Sequence, residues 1–153
     1  IRDSVWTHGD YVEMTSTGGA IIYGRSDTTL NPGGIRIGTA EIYRAVENME
    51  QIIDAVVVGR PNNGDVDVVL CVKLGEGVIF DDNLKSDISV QIRSATTSRH
   101  VPDYIFEVDD IPYTISGKKV EKAVLAIITG RPVGNKDALV NPDSLEQYSN
   151  LPF

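Results

Sequence analysis

The chain has 153 residues, 41% of them hydrophobic and 24% charged, a balance typical of one globular domain of ordinary size. With 22 acidic against 14 basic residues, its formal net charge of −8 repels phosphate backbones and anionic lipid, which disfavours general nucleic-acid and membrane binding. A single cysteine, Cys71, excludes an internal disulfide and favours a reducing compartment, so we expect a cytoplasmic (cytosolic) protein.

The first predicted element is a β-hairpin. Residues 11–16 alternate apolar and polar side chains, Thr17-Gly18-Gly19 is a turn signal, and residues 20–23 continue as a second strand. Residues 25–34 are then rich in residues that break regular structure, among them Asn31-Pro32-Gly33-Gly34. We therefore expect a domain boundary within this stretch.

Three amphipathic helices are predicted after this boundary. Thr39 is the expected cap of the first helix, Asp81 begins the second, which runs to about residue 98 before Pro102, and Gly130 and Pro132 close the third. The apolar faces that predict them are Ile42, Ala45, Val46 and Met49 in the first, Leu84, Ile88, Ile92 and Ala95 in the second, and Val120, Val124, Ile127 and Ile128 in the third.

Three strands are predicted between the helices. Residues 55–58 are a short β-branched run, Asn62-Asn63-Gly64-Asp65 is a turn, residues 66–74 return as a partner strand, and residues 104–108 form the third. The predicted fold class is α+β, with about three strands flanked by about three helices and a hairpin ahead of them. Residues 131–153 show no periodicity and should form a tail that either packs on the domain or stays loose.

Two stretches near the boundary carry candidate ligand-binding residues. Asp10, just before a strand, could accept hydrogen bonds from the vicinal hydroxyls of a ribose, although such a residue is more often a plain turn or strand-end residue. Arg25 and Arg36 flank a loop whose glycines let a backbone approach a ligand, and the arginine fork suits phosphate. Loop arginines are, however, most often simply solvated.

Two later stretches carry further candidates. The second helix bears Arg93 and ends near Arg99-His100, where positive charge favours the helix dipole without any ligand and a lone histidine is more often structural. The loop at residues 112–119 contains Gly117-Lys118 before a helix, where backbone N–H groups and an ammonium could bind an anion. It lacks the first glycine and the Ser or Thr of a P-loop, so nucleotide hydrolysis by this loop alone is excluded.

Taken together and in this order, the motifs resemble the adenylate-forming superfamily, which contains acyl-CoA synthetases, luciferases and peptide-synthetase adenylation domains. Gly9-Asp10 resembles the ribose-binding motif, Gly24-Arg25-Ser26-Asp27 with residues 33–42 resembles the hinge motif, and residues 112–118 resemble the catalytic-lysine motif. Within the superfamily, residues 98–102, 111–114, 117–121 and 141–148 are similar to the members that activate acetoacetate. Acetate- and propionate-activating members usually carry a Lys-Thr-Arg-Ser-Gly-Lys loop instead.

The resemblance implies two half-reactions in a full-length enzyme. A carboxylate attacks the α-phosphorus of Mg-ATP to give an acyl-adenylate and pyrophosphate, and the CoA thiol then attacks the acyl carbon and releases AMP. Lys118 would be the catalytic residue of the first step. Asp10, Arg25 and Arg36 would bind the nucleotide. Asp27 would be the hinge.

The same resemblance places coenzyme A against Gly34 and Arg93 after the hinge has turned, and leaves Mg²⁺ mainly to ATP and to a large N-terminal domain. That domain, ATP, CoA and a short-chain carboxylate are the expected partners. Residues 1–26 would end the large domain, 27–130 would form the mobile C-terminal domain, and 131–153 the tail. Two alternatives stay open: a non-catalytic stand-alone binding module of the same fold, and a ligase for acetate or propionate.

Overall fold

The computed structural model describes residues 9–25 and 29–153. The first of these segments is the predicted hairpin, with β1 (Asp10–Met14) antiparallel to β2 (Ala20–Arg25). Its turn is closed by the Thr15 N–H, which donates to the Gly19 carbonyl at 2.8 Å, and by the Gly19 N–H, which donates to the Thr15 hydroxyl at 2.9 Å. The hairpin prediction is therefore confirmed.

A three-stranded sheet forms the centre of the second segment. Its strands are β3 (Ile52–Asn62), β4 (Asp65–Leu74) and β5 (Tyr104–Glu107), in the order β3-β4-β5. Asn63 and Gly64 join β3 to β4 with φ angles of 47° and 87°, a pair that suits a tight hairpin turn. The strand β5 runs parallel to β4 because the helix between them crosses over the sheet.

Three α-helices flank the sheet: α1 (Thr39–Val46), α2 (Asp82–Ala95) and α3 (Glu121–Ile128). Asp81, the predicted start of the second helix, is the N-cap of α2, since its carboxylate accepts the Leu84 N–H at 2.9 Å. The prediction for Thr39 is wrong. Gly38 is the residue that caps α1, through a carbonyl that accepts the Glu41 N–H, and Thr39 is a buried residue of the first turn.

The end of α2 also differs from the prediction. The helix stops at Ala95, seven residues before Pro102, because Thr96 leaves the helical region of the backbone with φ −135° and ψ −111°. The Thr96 hydroxyl donates to the Ile92 carbonyl at 2.6 Å and so bonds one of the free acceptors at the helix end. Ala95, predicted to lie on the apolar face, is therefore exposed.

Two apolar cores lie on opposite faces of the sheet, because successive residues of β3 and β4 alternate between them. Helices α1 and α2 cover one face and α3 covers the other. The first core contains Ile42, Ala45, Val46, Ala55, Val57, Val68, Leu70, Val72, Leu84, Ile88 and Ile92. The second contains Val56, Val58, Val69, Cys71, Ala123, Val124, Leu145 and Tyr148. The fold class is the predicted α+β arrangement.

The single cysteine belongs to the second core. Burial of Cys71 raises the pKa of its thiol to about 12, so the side chain is a protonated apolar residue at neutral pH that packs in the core. In the part of the chain that the structure describes, none of the helices has both the length and the apolar character that crossing a bilayer requires.

The tail packs on the domain, which decides between the two possibilities left open by the sequence. It forms two 3₁₀-helices, Lys136–Ala138 and Pro142–Asn150. Leu145 and Tyr148 of the second are each only 1% exposed and belong to the core that contains α3. At the very end, the Phe153 ring lies edge-on to Tyr104 and Phe106 of β5.

Asp110, which follows β5, links the tail to the sheet. Its carboxylate accepts hydrogen bonds from Lys73 of β4, at 2.8 Å, and from the Asn141 amide. Its backbone carbonyl accepts hydrogen bonds from Gln147 at 2.8 Å and from the Tyr148 hydroxyl at 3.0 Å. The hydrogen bond from Lys73, helped by that from Asn141, lowers the pKa of Asp110 below its ordinary value.

This pKa shift predicts how acid affects stability. Because the folded-state pKa is depressed, the Asp110 contribution is fully present above the unfolded pKa of about 3.9 and is lost as pH falls through the lower folded pKa. Urea midpoints should therefore fall from about pH 6 to about pH 3, less steeply in Asp110→Asn than in the unsubstituted chain. Asp109→Asn, a neighbouring exposed carboxylate, is the control and should keep the full slope. A slope in Asp110→Asn equal to that of the unsubstituted chain would contradict the contribution of Asp110 to stability.

Candidate functional site

The predicted catalytic lysine lies in a tightly folded loop between β5 and α3. Tyr113 and Lys119 form a β-bridge across its base, and Thr114 holds its interior. The Thr114 N–H donates to the Lys118 carbonyl at 2.9 Å, and the Lys118 N–H donates to the Thr114 hydroxyl at 3.0 Å. Gly117 makes the reversal possible with a φ of +76°, which strains any residue with a Cβ. We call residues 113–119 the lysine loop.

The side chain of Lys118 is exposed, and no carboxylate of the described residues lies within ion-pair distance of its ammonium. Lys119, the next residue, points the opposite way and forms an ion pair with Asp54 of β3 at 2.8 Å. Neighbouring side chains on an extended segment point to opposite faces, so the buried direction of Lys119 defines the outward direction of Lys118. The loop thus exposes the ammonium of Lys118 to solvent, while the ammonium of Lys119 is paired with Asp54.

The tail supplies an extra strand-like segment beside the lysine loop. Thr114 and Leu139 form a β-bridge, and the Ile115 N–H donates to the Ala138 carbonyl at 3.0 Å. The Asn141 side chain accepts the Tyr113 N–H at 3.0 Å. The loop is therefore bonded along its first arm by a segment more than twenty residues further along the chain, which limits its freedom to move.

The predicted hinge motif is only partly described, because Asp27 lies outside the described residues. After it, Leu30 and Ile37 pair through two backbone hydrogen bonds, 3.0 and 2.9 Å long, and both side chains are 1% exposed. The segment between them bulges out as a 3₁₀ turn with Gly33 and Gly34 at φ +56° and +77°. A buried pair therefore anchors an exposed glycine loop.

One hydrogen bond holds that loop, and open space lies beside it. The Gly33 N–H donates to the Asp65 carboxylate at 2.7 Å, and this bond, with the one from Val66, lowers the pKa of Asp65. A Cβ built on Gly34 would meet no atom within 4 Å, so the loop has open space beside it. Arg36 is exposed on the same segment. The backbone at Gly34 is therefore accessible to a ligand.

Asp10 and Arg25 are cross-strand partners at the open end of the hairpin. This pairing brings together two residues, fifteen positions apart along the chain, that the resemblance assigns to nucleotide binding. The Asp10 side chain is half-buried, and the side chain of Arg25 lies outside the described part of the structure. The strand register thus places these two candidates directly opposite each other.

Arg93 lies on the last turn of α2 and is exposed. His100, which follows α2, has both ring nitrogens bonded: Nε2 to the Glu41 carboxylate at 2.5 Å and Nδ1 to the Thr97 hydroxyl at 2.9 Å. With 13% of its side chain exposed, His100 links α1 to the end of α2. This is the structural role that the sequence favoured for it.

The candidates therefore fall into separate groups. Lys118 and Arg36 lie in two different loops and Arg93 lies on α2, and no described contact joins them. Within residues 9–25 and 29–153, no group of three or more His, Cys, Asp or Glu side chains could hold a metal ion. The described residues thus carry basic groups that suit anionic ligands and do not form a metal site of their own.

One cluster at the site is not among the residues predicted from the sequence. Asp54, Tyr113 and Lys119 meet beneath the lysine loop, where the Tyr113 hydroxyl donates to Asp54 at 2.7 Å. A signal for it exists in the sequence, because Asp54 is the one charged residue in the apolar strand Ile52-Ile53-Asp54-Ala55-Val56-Val57. An acidic residue in such a strand requires a partner, but the sequence does not say which.

Comparison with known families identifies the class of protein to which this fold belongs. The AMP-binding enzyme C-terminal domain family matches residues 41–118, from the first turn of α1 to the exposed lysine. The match covers about half of the chain, and the chain belongs to this family.

Particular relatives narrow the comparison. The chain is 52% identical over 149 residues to the acetoacetyl-coenzyme A synthetase of Rhizobium meliloti (strain 1021) and 48% identical over 150 residues to the acetoacetyl-CoA synthetase of Danio rerio. Each alignment covers 97% of this chain, but only 23% and 22% of the relative. The chain thus spans less than a quarter of the length of these curated relatives.

Solved structures agree with this assignment. Acetoacetyl-CoA synthetase from Streptomyces lividans superposes with a TM-score of 0.85 at 38% identity, over 94% of this chain and 22% of that one. An acyl-CoA synthetase of Brucella canis superposes with a TM-score of 0.60 at 27% identity, over 77% of this chain and 22% of that one. The first superposition covers 94% of this chain and so includes most of the tail, whereas the second leaves about a quarter of the chain unmatched.

Proposed function

We propose that this chain is the C-terminal part of an ATP-dependent acid–CoA ligase that activates acetoacetate, and that Lys118 acts in the adenylation step. The observation that carries the proposal is the exposed ammonium of Lys118, which has no ion-pair partner among the described residues, on a loop that is bonded on both arms. Identities of 52% and 48% to acetoacetyl-CoA synthetases support the class of reaction and the acid.

In the first half-reaction the carboxylate attacks the α-phosphorus of ATP, a bond forms between them, and pyrophosphate leaves. Lys118 would donate from its ammonium to the oxygens on which negative charge accumulates between the acid and the phosphate. Such a donor accelerates the step when it is already oriented, because it then need not reorganise as charge develops. Mg²⁺, carried with ATP, would neutralise phosphate charge when it is bound.

Other residues would position the nucleotide. Asp10 would accept hydrogen bonds from the ribose hydroxyls, with Arg25 beside it, as their cross-strand pairing supports. Arg36 would approach the phosphate from the exposed segment after the glycine turn. A guanidinium suits this position because it donates two parallel hydrogen bonds to phosphate oxygens.

In the second half-reaction the CoA thiol attacks the acyl carbon, and AMP leaves. Lys118 would obstruct this geometry, so the domain would turn about Asp27 and carry the lysine away. The open space beside Gly34 would then accept the pantetheine arm, and Arg93 would face the nucleotide end of CoA. We also propose that the large domain, which contributes the acyl pocket, precedes this chain and that the enzyme acts in the cytosol.

A substrate panel on the full-length protein tests the proposal. CoA thioester formation from acetoacetate, acetate and propionate should show kcat/KM highest for acetoacetate, by about tenfold or more over the other two acids. A preference for acetate or propionate would support a ligase of different specificity. Absence of thioester from all three acids, with no ATP consumption, would favour a binding module without chemistry.

A further inference from the structure

We propose that Asp54 on β3 is a positioning residue for the adenylation step, because its carboxylate binds both arms of the lysine loop and thereby sets the direction of Lys118. The inference rests on the proposed function, since it concerns how the lysine of that function is held. Asp54 does not contact Lys118 itself. Its effect on Lys118 therefore passes through Tyr113 and Lys119.

The carboxylate of Asp54 is fully engaged. One oxygen accepts the Lys119 ammonium at 2.8 Å and the Ala55 N–H at 2.8 Å, and the other accepts the Tyr113 hydroxyl at 2.7 Å. Tyr113 and Lys119 face each other across the base of the loop. A single side chain on β3 therefore bonds the residue that enters the loop and the residue that leaves it.

The geometry differs from that of a mobile surface ion pair. The Lys119 and Asp54 side chains are 21% and 20% exposed, so water screens the pair only weakly. Exposed pairs lose much of their effect through screening and through the freedom of two long side chains. Here the extra bonds from Ala55 and Tyr113 leave the carboxylate one orientation.

A second layer fixes Lys119 from the other side. Its ammonium lies 4.4 Å from the centre of the Tyr43 ring, and the Tyr43 hydroxyl donates to Glu121 at 2.6 Å while accepting the Val57 N–H at 3.1 Å. These contacts join α1, β3 and the first residue of α3. Lys119 is therefore held between a carboxylate and an aromatic face.

Both phenols in this network remain donors at neutral pH. Burial, reinforced by Glu121, raises the pKa of Tyr43 well above its ordinary value. Burial and the hydrogen bond to Asp54 raise the pKa of Tyr113. Since neither hydroxyl ionises near neutral pH, Tyr43 continues to donate to Glu121 and Tyr113 to Asp54.

Loss of the Asp54 charge would remove the ion pair that fixes the Lys119 side chain, and the second arm of the loop would then be held only by its backbone hydrogen bonds and by the Tyr43 ring. Lys118 is the next residue, so its ammonium would sample several directions rather than one. A displacement of about 1 Å can cost on the order of 100-fold in rate when a group must meet a reacting atom. The thioester-forming step does not use Lys118, so it should not be affected.

The test compares the two half-reactions in the full-length protein. Asp54→Asn should lower acetoacetate-dependent ATP–pyrophosphate exchange by roughly 10- to 100-fold and leave thioester formation from supplied acyl-adenylate unchanged. Asp54→Glu, which keeps the charge, should recover part of the exchange. Tyr113→Phe removes one hydrogen bond and should lower exchange in the same direction, by less.

Asp67→Asn is a matched control. Asp67 forms an ion pair with Arg60 at 2.8 Å, its side chain is 16% exposed, and it lies across the β3–β4 pair without a contact to the lysine loop. Both half-reactions should keep their rates in this variant. Melting temperatures of all variants show whether a loss of exchange accompanies a loss of folding.

The outcomes separate the two proposals when Lys118→Ala is measured alongside. An exchange rate unaffected by Lys118→Ala means that the proposed function fails. Exchange abolished by Lys118→Ala but unchanged by Asp54→Asn and Tyr113→Phe means that the positioning role alone fails. An equal fall of both half-reactions in the folded Asp54→Asn protein also overturns the positioning role, because a general structural effect would explain it.

Discussion

Replacing Lys118 by alanine in the full-length protein is expected to lower acetoacetate-dependent ATP–pyrophosphate exchange by about 100- to 1000-fold. The reason is that one oriented donor to the charge of a transition state typically contributes a factor of that size. The exposed ammonium has no other described partner, so its removal leaves no buried charge unpaired. The melting temperature should therefore stay the same while the rate falls.

Lys136→Ala is the matched control for this experiment. Lys136 is also exposed and begins the short 3₁₀-helix of the tail. Its loss removes the same charge from the same chain and should leave the exchange rate unchanged. An equal loss of rate in the two variants would point to net charge rather than to the position of Lys118.

Replacing Tyr148 by alanine is expected to lower the free energy of unfolding of this chain by about 3–5 kcal/mol, the usual cost of removing a buried aromatic side chain. Tyr148 is 1% exposed in the core shared with α3, and its hydroxyl donates to the Asp110 carbonyl at 3.0 Å. Urea unfolding followed by circular dichroism measures the change.

Tyr148→Phe separates packing from hydrogen bonding at the same position. It keeps the ring and removes only the hydroxyl, so its expected cost is about 0.5–1.5 kcal/mol. A loss of unfolding free energy in Tyr148→Ala below the expected range of about 3–5 kcal/mol would show that the tail does not belong to the folded core. The tail would then be a loose extension, which is the other possibility that the sequence allowed.

Much of the fold follows from local patterns in the sequence. The apolar spacing in α1 and α2 places Ile42, Val46, Leu84 and Ile88 in one core, and these residues are buried. A pattern of this kind is local, so short-range sequence information suffices to detect it. The same holds for the Asn63-Gly64 turn, whose backbone angles few other residue pairs adopt easily.

Other features depend on contacts between distant residues. Whether β5 pairs parallel or antiparallel with β4 depends on the path of α2 across the sheet, not on the residues of β5. The buried residues of the tail, Leu145 and Tyr148, lie three positions apart on a 3₁₀-helix, and so short a pattern does not predict which surface of the domain they cover. Thr39 was mistaken for a cap because the cap at Gly38 uses only a backbone carbonyl.

The candidate site divides in the same way. The exposed Lys118 could be predicted, because Gly117-Lys118 before a helix is a recognisable pattern. The partners of Asp54 could not be predicted, since Tyr113 lies 59 residues further along the chain. The hydrogen bonds of such a network form only after two cores have brought the strand, the loop and the helices together.

The central claim is that Lys118 serves the first half-reaction and is dispensable in the second. The most direct test is to measure thioester formation from supplied acetoacetyl-adenylate and CoA with Lys118→Ala, beside its ATP–pyrophosphate exchange. We predict thioester formation equal to that of the unsubstituted protein and exchange lowered by about 100-fold or more. Equal losses in both half-reactions, or an unchanged exchange rate, would contradict it.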